Sequence, residues 1–249
     1  WLMEQITMEK TLFPSQDYAG FLKQLDGLCD KKYRDFHTSL LNSSLPVMGI
    51  RMPLLRKLAK AIAKGDGTAF LQCVGKNTYE ERALYGLVLL ECRLGYGEFL
   101  PYSEKYIHEL IENWALCDLF CSGLRHYRKL NRQDFFEKIG TYLQEKNPWV
   151  QRAAIVSMMT LYLEEPFLQT VLERVDSVTE TMYYVQMAQA WLLAEAVAKQ
   201  PEVTLAYFRK NCHLDAFTRK KTVQKCKESF RIPPETQLLV RQLLLDTEP

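Results

Sequence analysis

The residues whose types and spacing offer chemistry lie in Asn113-Trp114-Ala115-Leu116-Cys117-Asp118-Leu119-Phe120. The stretch reads as the opening of a helix, with Asn113 as its N-cap. Trp114 and Asp118 are four apart, so their side chains share one face. A carboxylate beside an indole, in a run that is otherwise apolar, has three readings. It is an ion-pair partner, most simply of Arg152. It is a helix-terminal carboxylate favoured by the dipole, although it lies a turn past the cap. Or it is a reactive group. Aromatic walls with one carboxylate and one cation suit a site that stabilises positive charge on a ligand.

The elements that must position these residues repeat at a period of 35. Tyr79, Trp114, Trp149, Tyr184 and Arg219 open equivalent segments. Four positions on stand Ala83, Asp118, Ala153, Ala188 and Val223, so one carboxylate occupies a column of small apolar residues. Three positions on stand Arg82, Cys117, Arg152, Met187 and Thr222, and seven on stand Gly86, Cys121, Val156, Trp191 and Cys226. Positions 0, 3, 4 and 7 share a helix face. If equivalent helices stack side by side, Trp114, Asp118, Arg152 and Trp191 converge on it.

Each repeat supplies two helices. First helices are predicted near 67–74, 97–111, 131–144, 166–175 and 201–210. Second helices are predicted to start near Tyr79, Trp114, Trp149, Tyr184 and Thr218. Breaks such as Gly95, Asn147-Pro148 and Asn211 separate them. Ahead of the repeats, apolar stripes predict helices over 15–28 and 30–42, and Pro53 suits the first turn of a third. No segment alternates with period two, so no strands are expected. The expected fold is all-α, an α-solenoid of HEAT-like helix pairs with a concave face, forming one domain over 11–249. Residues 1–10 are read as a disordered or foreign start.

Composition is that of a globular chain: 249 residues, 47% apolar, 25% charged, formal charge +2. Any basic patch must therefore be local. The seven cysteines, at irregular spacing, read as reduced thiols. Cys117 and Cys121 have the spacing of two helical metal ligands. Only His126 offers itself as a third, so no metal is expected. No P-loop or GxGxxG appears, and the four histidines stand in no motif with a nucleophile. No apolar run approaches the ~18 residues of a membrane helix. Arg125-His126-Tyr127-Arg128-Lys129 reads as a solvated helix end. Arg219-Lys220-Lys221, with Lys225 and Lys227, is the densest basic stretch, and the repeat places part of it beside the groove.

Several segments together resemble the DNA alkylation repair family of HEAT-like-repeat DNA glycosylases, the AlkD type. They are Gly49-Ile50-Arg51-Met52-Pro53-Leu54-Leu55-Arg56, Glu80-Glu81-Arg82, Asn113 to Asp118, Trp149 to Val156, Met187-Ala188-Gln189-Ala190-Trp191 and Phe217 to Lys221. The likeness covers roughly 15–245. The family pattern is a Trp and an Asp four apart on one helix, an Arg in the next repeat and a Trp two repeats on. Trp114, Asp118, Arg152 and Trp191 match it. The family's N-terminal aromatic contact aligns equally well with Tyr33, Phe36 and a non-aromatic neighbour.

The resemblance implies excision of N3- or N7-alkylated purines from duplex DNA. Asp118, Trp114 and Trp191 would be catalytic, and Arg152, Arg82, Arg219, Lys220 and Lys221 would contact DNA. A purine alkylated at N3 or N7 already carries positive charge and leaves neutral, so no general acid is needed, and the face columns hold no second carboxylate and no histidine. No cofactor is expected. The expected partner of a monomeric protein is duplex DNA carrying alkylated bases, in the cytoplasm at the nucleoid. The other reading is a non-catalytic HEAT-like module, binding DNA or protein, in which Asp118 merely pairs with Arg152.

Overall fold

A computed structural model describes residues 18–127 and 131–246, the side chains of His126 and Asn211 excepted. Trp1–Lys10, the start of the helix predicted from 15, and Arg128-Lys129 lie outside them, as does the His126 side chain. Fourteen α-helices and no strand are found among the described residues. The chain divides into two compact units, Trp1–Leu130 and Asn131–Pro249.

In the first unit the helices are α1 (Tyr18–Asp26), α2 (Lys31–Leu41), α3 (Met52–Lys64), α4 (Gly67–Cys73), α5 (Tyr79–Cys92), α6 (Tyr96–Lys105) and α7 (Trp114–Cys121). In the second they are α8 (Arg132–Tyr142), α9 (Pro148–Leu161), α10 (Leu168–Asp176), α11 (Tyr183–Lys199), α12 (Pro201–Asn211), α13 (Ala216–Glu228) and α14 (Pro234–Leu245). The predicted pairs are all present, and local chemistry explains their starts. Asp30, Thr78, Asn113, Asn147 and Asp215 each accept a main-chain N–H of the first turn they cap. Pro53 and Pro148 sit at the first helical positions, where no N–H partner is lost.

Three boundaries differ from expectation. The helix predicted over 97–111 stays α-helical only to Lys105 and then widens into a π turn, Tyr106–Leu110. The wide turn accompanies the fully buried Tyr106 ring, whose hydroxyl donates to the Leu116 carbonyl at 3.1 Å. α12 runs through Asn211, where a break was expected. α14 lies outside the 35-residue pattern altogether.

Second helices pack on one another within each unit: α3 on α5 and α5 on α7, then α9 on α11 and α11 on α13. Their shared face is therefore not open along its length. Tyr79, Ala83, Cys117, Cys121, Ala153, Val156, Ala188, Thr222 and Cys226 are all buried in it. Small residues at position 4 let neighbouring helices approach. Tyr106 sets the same demand at position 7: a Cβ on Gly86 would meet its ring at 2.8 Å. Each large apolar side chain buried here contributes about 1.5–3 kcal/mol.

The turn that begins α5 anchors the loop before α3. Glu80 is fully buried, and its carboxylate accepts the N–H groups of Met48, Gly49 and Ile50 at 2.8, 2.8 and 3.2 Å. Gly49 has φ +97, and a Cβ there would come within 2.6 Å of Arg34 Cβ, so only glycine fits. Replacing Glu80 by Gln turns an amide N–H₂ toward one of those donors. Glu80→Gln is expected to cost roughly 2–4 kcal/mol in urea unfolding, the scale of charged hydrogen bonds lost in a buried site. An unchanged midpoint would show that the loop is held by something else.

Candidate active site

α7 is a short helix held at both ends of its first turn. Asn113, wholly buried, accepts the Leu116 N–H at 3.0 Å, while Tyr106 takes the Leu116 carbonyl. Leu116, Cys117, Phe120 and Cys121 fill the core, so Cys117 and Cys121 are core side chains. Their burial turns the opposite face outward and leaves Trp114 and Asp118 part-exposed. The Trp114 indole N–H donates to the Leu40 carbonyl at 3.2 Å. Leu40 lies in the last turn of α2, where helix carbonyls lack intrahelical partners. Phe36 and Leu40 are four apart on α2 and strongly exposed, 59% and 47%. Tyr33 points elsewhere, stacked on His37 and beneath the Arg51 guanidinium.

In the second unit, Arg152 and Trp191 line one cleft of about 450 Å³. Arg152 is 5% exposed and donates to the Tyr184 carbonyl. Trp191 is part-exposed on α11. Glu195 also lines the cleft, one turn beyond Trp191, and is ion-paired with Arg231. Lys225 and Glu228 complete the wall as a 3.0 Å pair. Glu195 and Arg231 were not read from sequence. Glu195 stands eleven positions after Tyr184, on the same face as positions 0, 4 and 7. One more turn of that face would have found it. Arg231 follows α13 in a segment with no periodicity to read.

The remaining cations take varied places. Arg82 donates through Nε to the Lys76 carbonyl at 2.8 Å, and through one Nη to the Leu110 carbonyl and Glu112, both at 3.1 Å. Arg219 donates to the carbonyls of Leu214 and Cys212 at 2.8 and 3.2 Å. Lys220 is exposed. Lys221 lies over the Phe217 ring at 5.6 Å and bonds Gln224 at 3.0 Å. Among the described residues, no group of three metal-ligating side chains gathers. Trp114 and Asp118 stand on α7 of the first unit, and Arg152 and Trp191 line the cleft of the second.

A model of the family described as DNA alkylation repair enzyme matches residues 21–226, most of the chain. This protein belongs to that family. No curated protein matches it. Membership makes it an enzyme of alkylation repair with DNA as its substrate, and the match spans α1 to α13 and therefore both residue pairs.

Trp114 thus has a structural duty besides any chemical one. Trp114→Phe keeps the aromatic face but leaves the Leu40 carbonyl without its indole donor. It should lower unfolding free energy by about 0.5–1.5 kcal/mol. A denaturant midpoint equal to that of the native sequence would show that water replaces the bond at no cost.

Proposed function

We propose that the enzyme is a DNA glycosylase that excises cationic alkylated purines, 3-methyladenine and 7-methylguanine, from duplex DNA. One observation carries the reading. Asp118 is a part-exposed carboxylate beside an indole, at a position where α5, α9 and α11 bury alanine. Close packing of neighbouring helices asks for a small residue at that position, and a carboxylate is the exception to it.

The chemistry asks for little else. The C1′–N bond breaks, its electron pair leaves with the base, and the cationic purine departs neutral. The sugar passes through an oxocarbenium-like state, which one carboxylate stabilises electrostatically. A water then bonds C1′ and gives its proton to Asp118. Trp114 and Trp191 supply cation–π contact, about 0.5–2 kcal/mol each. Arg152 holds a phosphate, and Arg82, Arg219, Lys220 and Lys221 add backbone contacts that position the duplex. Phe36 is our choice for the N-terminal aromatic contact, because it is exposed on the helix whose end holds the Trp114 indole.

Asp118→Asn should slow base release at least ~100-fold, the scale of losing one preorganised electrostatic group, while the folded state persists. Base release from methylated duplex, followed by chromatography beside a thermal melt, reads both. Full activity in the variant would remove Asp118 from the mechanism, and no release by the native enzyme would favour a non-catalytic DNA-binding module.

Selectivity gives an independent check. Duplexes carrying 3-methyladenine or 7-methylguanine should be depurinated, while uracil and hypoxanthine persist for want of an acid to protonate them. Efficient uracil removal would overturn the single-carboxylate mechanism. Glu195 of the Trp191 cleft would then be the first residue to substitute in search of that acid.

A further inference from the structure

α13 ends at Glu228, and Ser229 to Ile232 follow it as a tight turn, in which the Ile232 N–H donates to the Ser229 carbonyl at 3.3 Å. The turn is well fastened. The Ser229 N–H reaches back to the Cys226 carbonyl at 3.2 Å, and the Ile232 side chain is buried. The Ile232 carbonyl accepts from the Gln237 side-chain amide of α14 at 2.9 Å. Arg231 is ion-paired with Glu195 of α11. Phe230 stands at the second position of this turn and is 107% exposed. Among the described residues no other large apolar side chain is as open.

A lone exposed apolar side chain is ordinary on a protein surface. The place of this one is not. Central turn positions favour Pro, Asn, Asp, Ser and Gly, and a large ring does nothing for the turn itself. At that exposure no part of the described fold covers the ring, while the fastenings on either side keep it from folding back. Its two chain neighbours, Ser229 and Arg231, line the cleft of Arg152 and Trp191. The ring is thus held out at the edge of that cleft with both faces free.

We infer that Phe230 is a wedge: when the cleft holds DNA, its ring enters a base step that damage has loosened and stacks on a base there. Apolar side chains that stand clear of the surface are the kind that proteins insert between base pairs. Opening a step costs stacking, and costs least where the pair is damaged or mismatched. One base stacked on an aromatic ring is worth roughly 5–150-fold in affinity. That gain offsets the cost at a weakened step and not at an intact one. The ring has no polar atom, so it reads looseness and no sequence. Phe230 therefore sorts damaged from intact duplex before any bond breaks. A protein partner is a poorer match, because Glu228, Ser229 and Arg231 beside the ring are polar and a protein interface needs an apolar centre. The inference rests on the reading of the Arg152–Trp191 cleft as a DNA surface, and it stands apart from which bases are removed.

The test compares the full native chain with Phe230→Ala and Phe230→Trp. The control is Leu238→Ala, which removes another exposed apolar side chain, on α14. The probes are two duplexes of one sequence, one intact and one carrying a tetrahydrofuran abasic-site analogue, with binding read by fluorescence anisotropy. Phe230→Ala should bind the abasic duplex ~5–30-fold more weakly than the native chain does, and the intact duplex within ~2-fold of it. Base release from methylated duplex should fall by a like factor in kcat/KM, with the melting temperature unchanged. Phe230→Trp should keep the preference, and its added indole should be quenched by the abasic duplex and not by the intact one. Native-like binding of both duplexes by Phe230→Ala, an equal loss on both, an equal loss in the control, or no added quenching would overturn the wedge. If the preference depends on Phe230 but the native enzyme releases no alkylated base, the wedge stands and the glycosylase reading falls. If base is released and the preference ignores Phe230, the reverse holds. A native chain that binds neither duplex takes the cleft reading and the wedge down together.

Discussion

Three consecutive residues at the start of α5 hold the first unit together. Glu80 takes three main-chain N–H groups from the loop before α3. Glu81, also buried, takes those of Asn77 and Thr78 and the Tyr18 hydroxyl. Arg82 turns the other way, to the carbonyls of Lys76 and Leu110 and to Glu112, which itself receives the Ser43 hydroxyl. Burying two carboxylates side by side is costly unless each is fully bonded. They stand at a helix N-terminus, where the dipole favours negative charge. The arrangement makes the loops before α3, α5 and α7 depend on one turn.

That dependence reaches the candidate site. Glu112 precedes Asn113, the cap of α7, so the Arg82 bond fixes where α7 begins. Tyr106 fixes its first turn from within, on a ring platform that only Gly86 permits. The second unit has its own buried carboxylate. Asp176 accepts the Tyr207 hydroxyl at 2.7 Å and the His213 N–H, tying α10 to α12 and to the loop before α13. Two of the segments that carry the family likeness, 49–56 and 80–82, meet in the Glu80 clamp. Part of that likeness is thus a signature of folding and not of chemistry.

How much could be read from sequence follows from how local each feature is. Caps, helix pairs and the 35-residue period are local: Asn113 announced its helix, and the Asn147-Pro148 break marked the start of another. The π turn after α6 was not legible, because it answers to the burial of Tyr106 against Gly86 and Leu116. α14 escaped because it falls outside the repeat. The exception at Asp118 was visible as a column, but its part-exposure was not. The same column is buried in α5, α9 and α11, and only packing tells the two cases apart. Arg82 and Arg219 show the same limit. Sequence marks them as cations, but not that main-chain carbonyls occupy part of each guanidinium.

Part-exposure also sets what Asp118 can do electrostatically. A unit charge 4 Å from a carboxylate is stabilised by about 1 kcal/mol in water but by about 4 kcal/mol at an effective dielectric of 20. Complete burial would strengthen the field further, but taking a carboxylate wholly out of water costs several kcal/mol, a large part of what holds a fold together. A carboxylate at the edge of a packed helix face, with an indole on one side, lies between these limits. A ligand docked against it would exclude solvent and strengthen its field. α7 can hold it there because its own first turn is satisfied from beneath by Asn113 and Tyr106, so neither Trp114 nor Asp118 is needed to cap the helix that carries them.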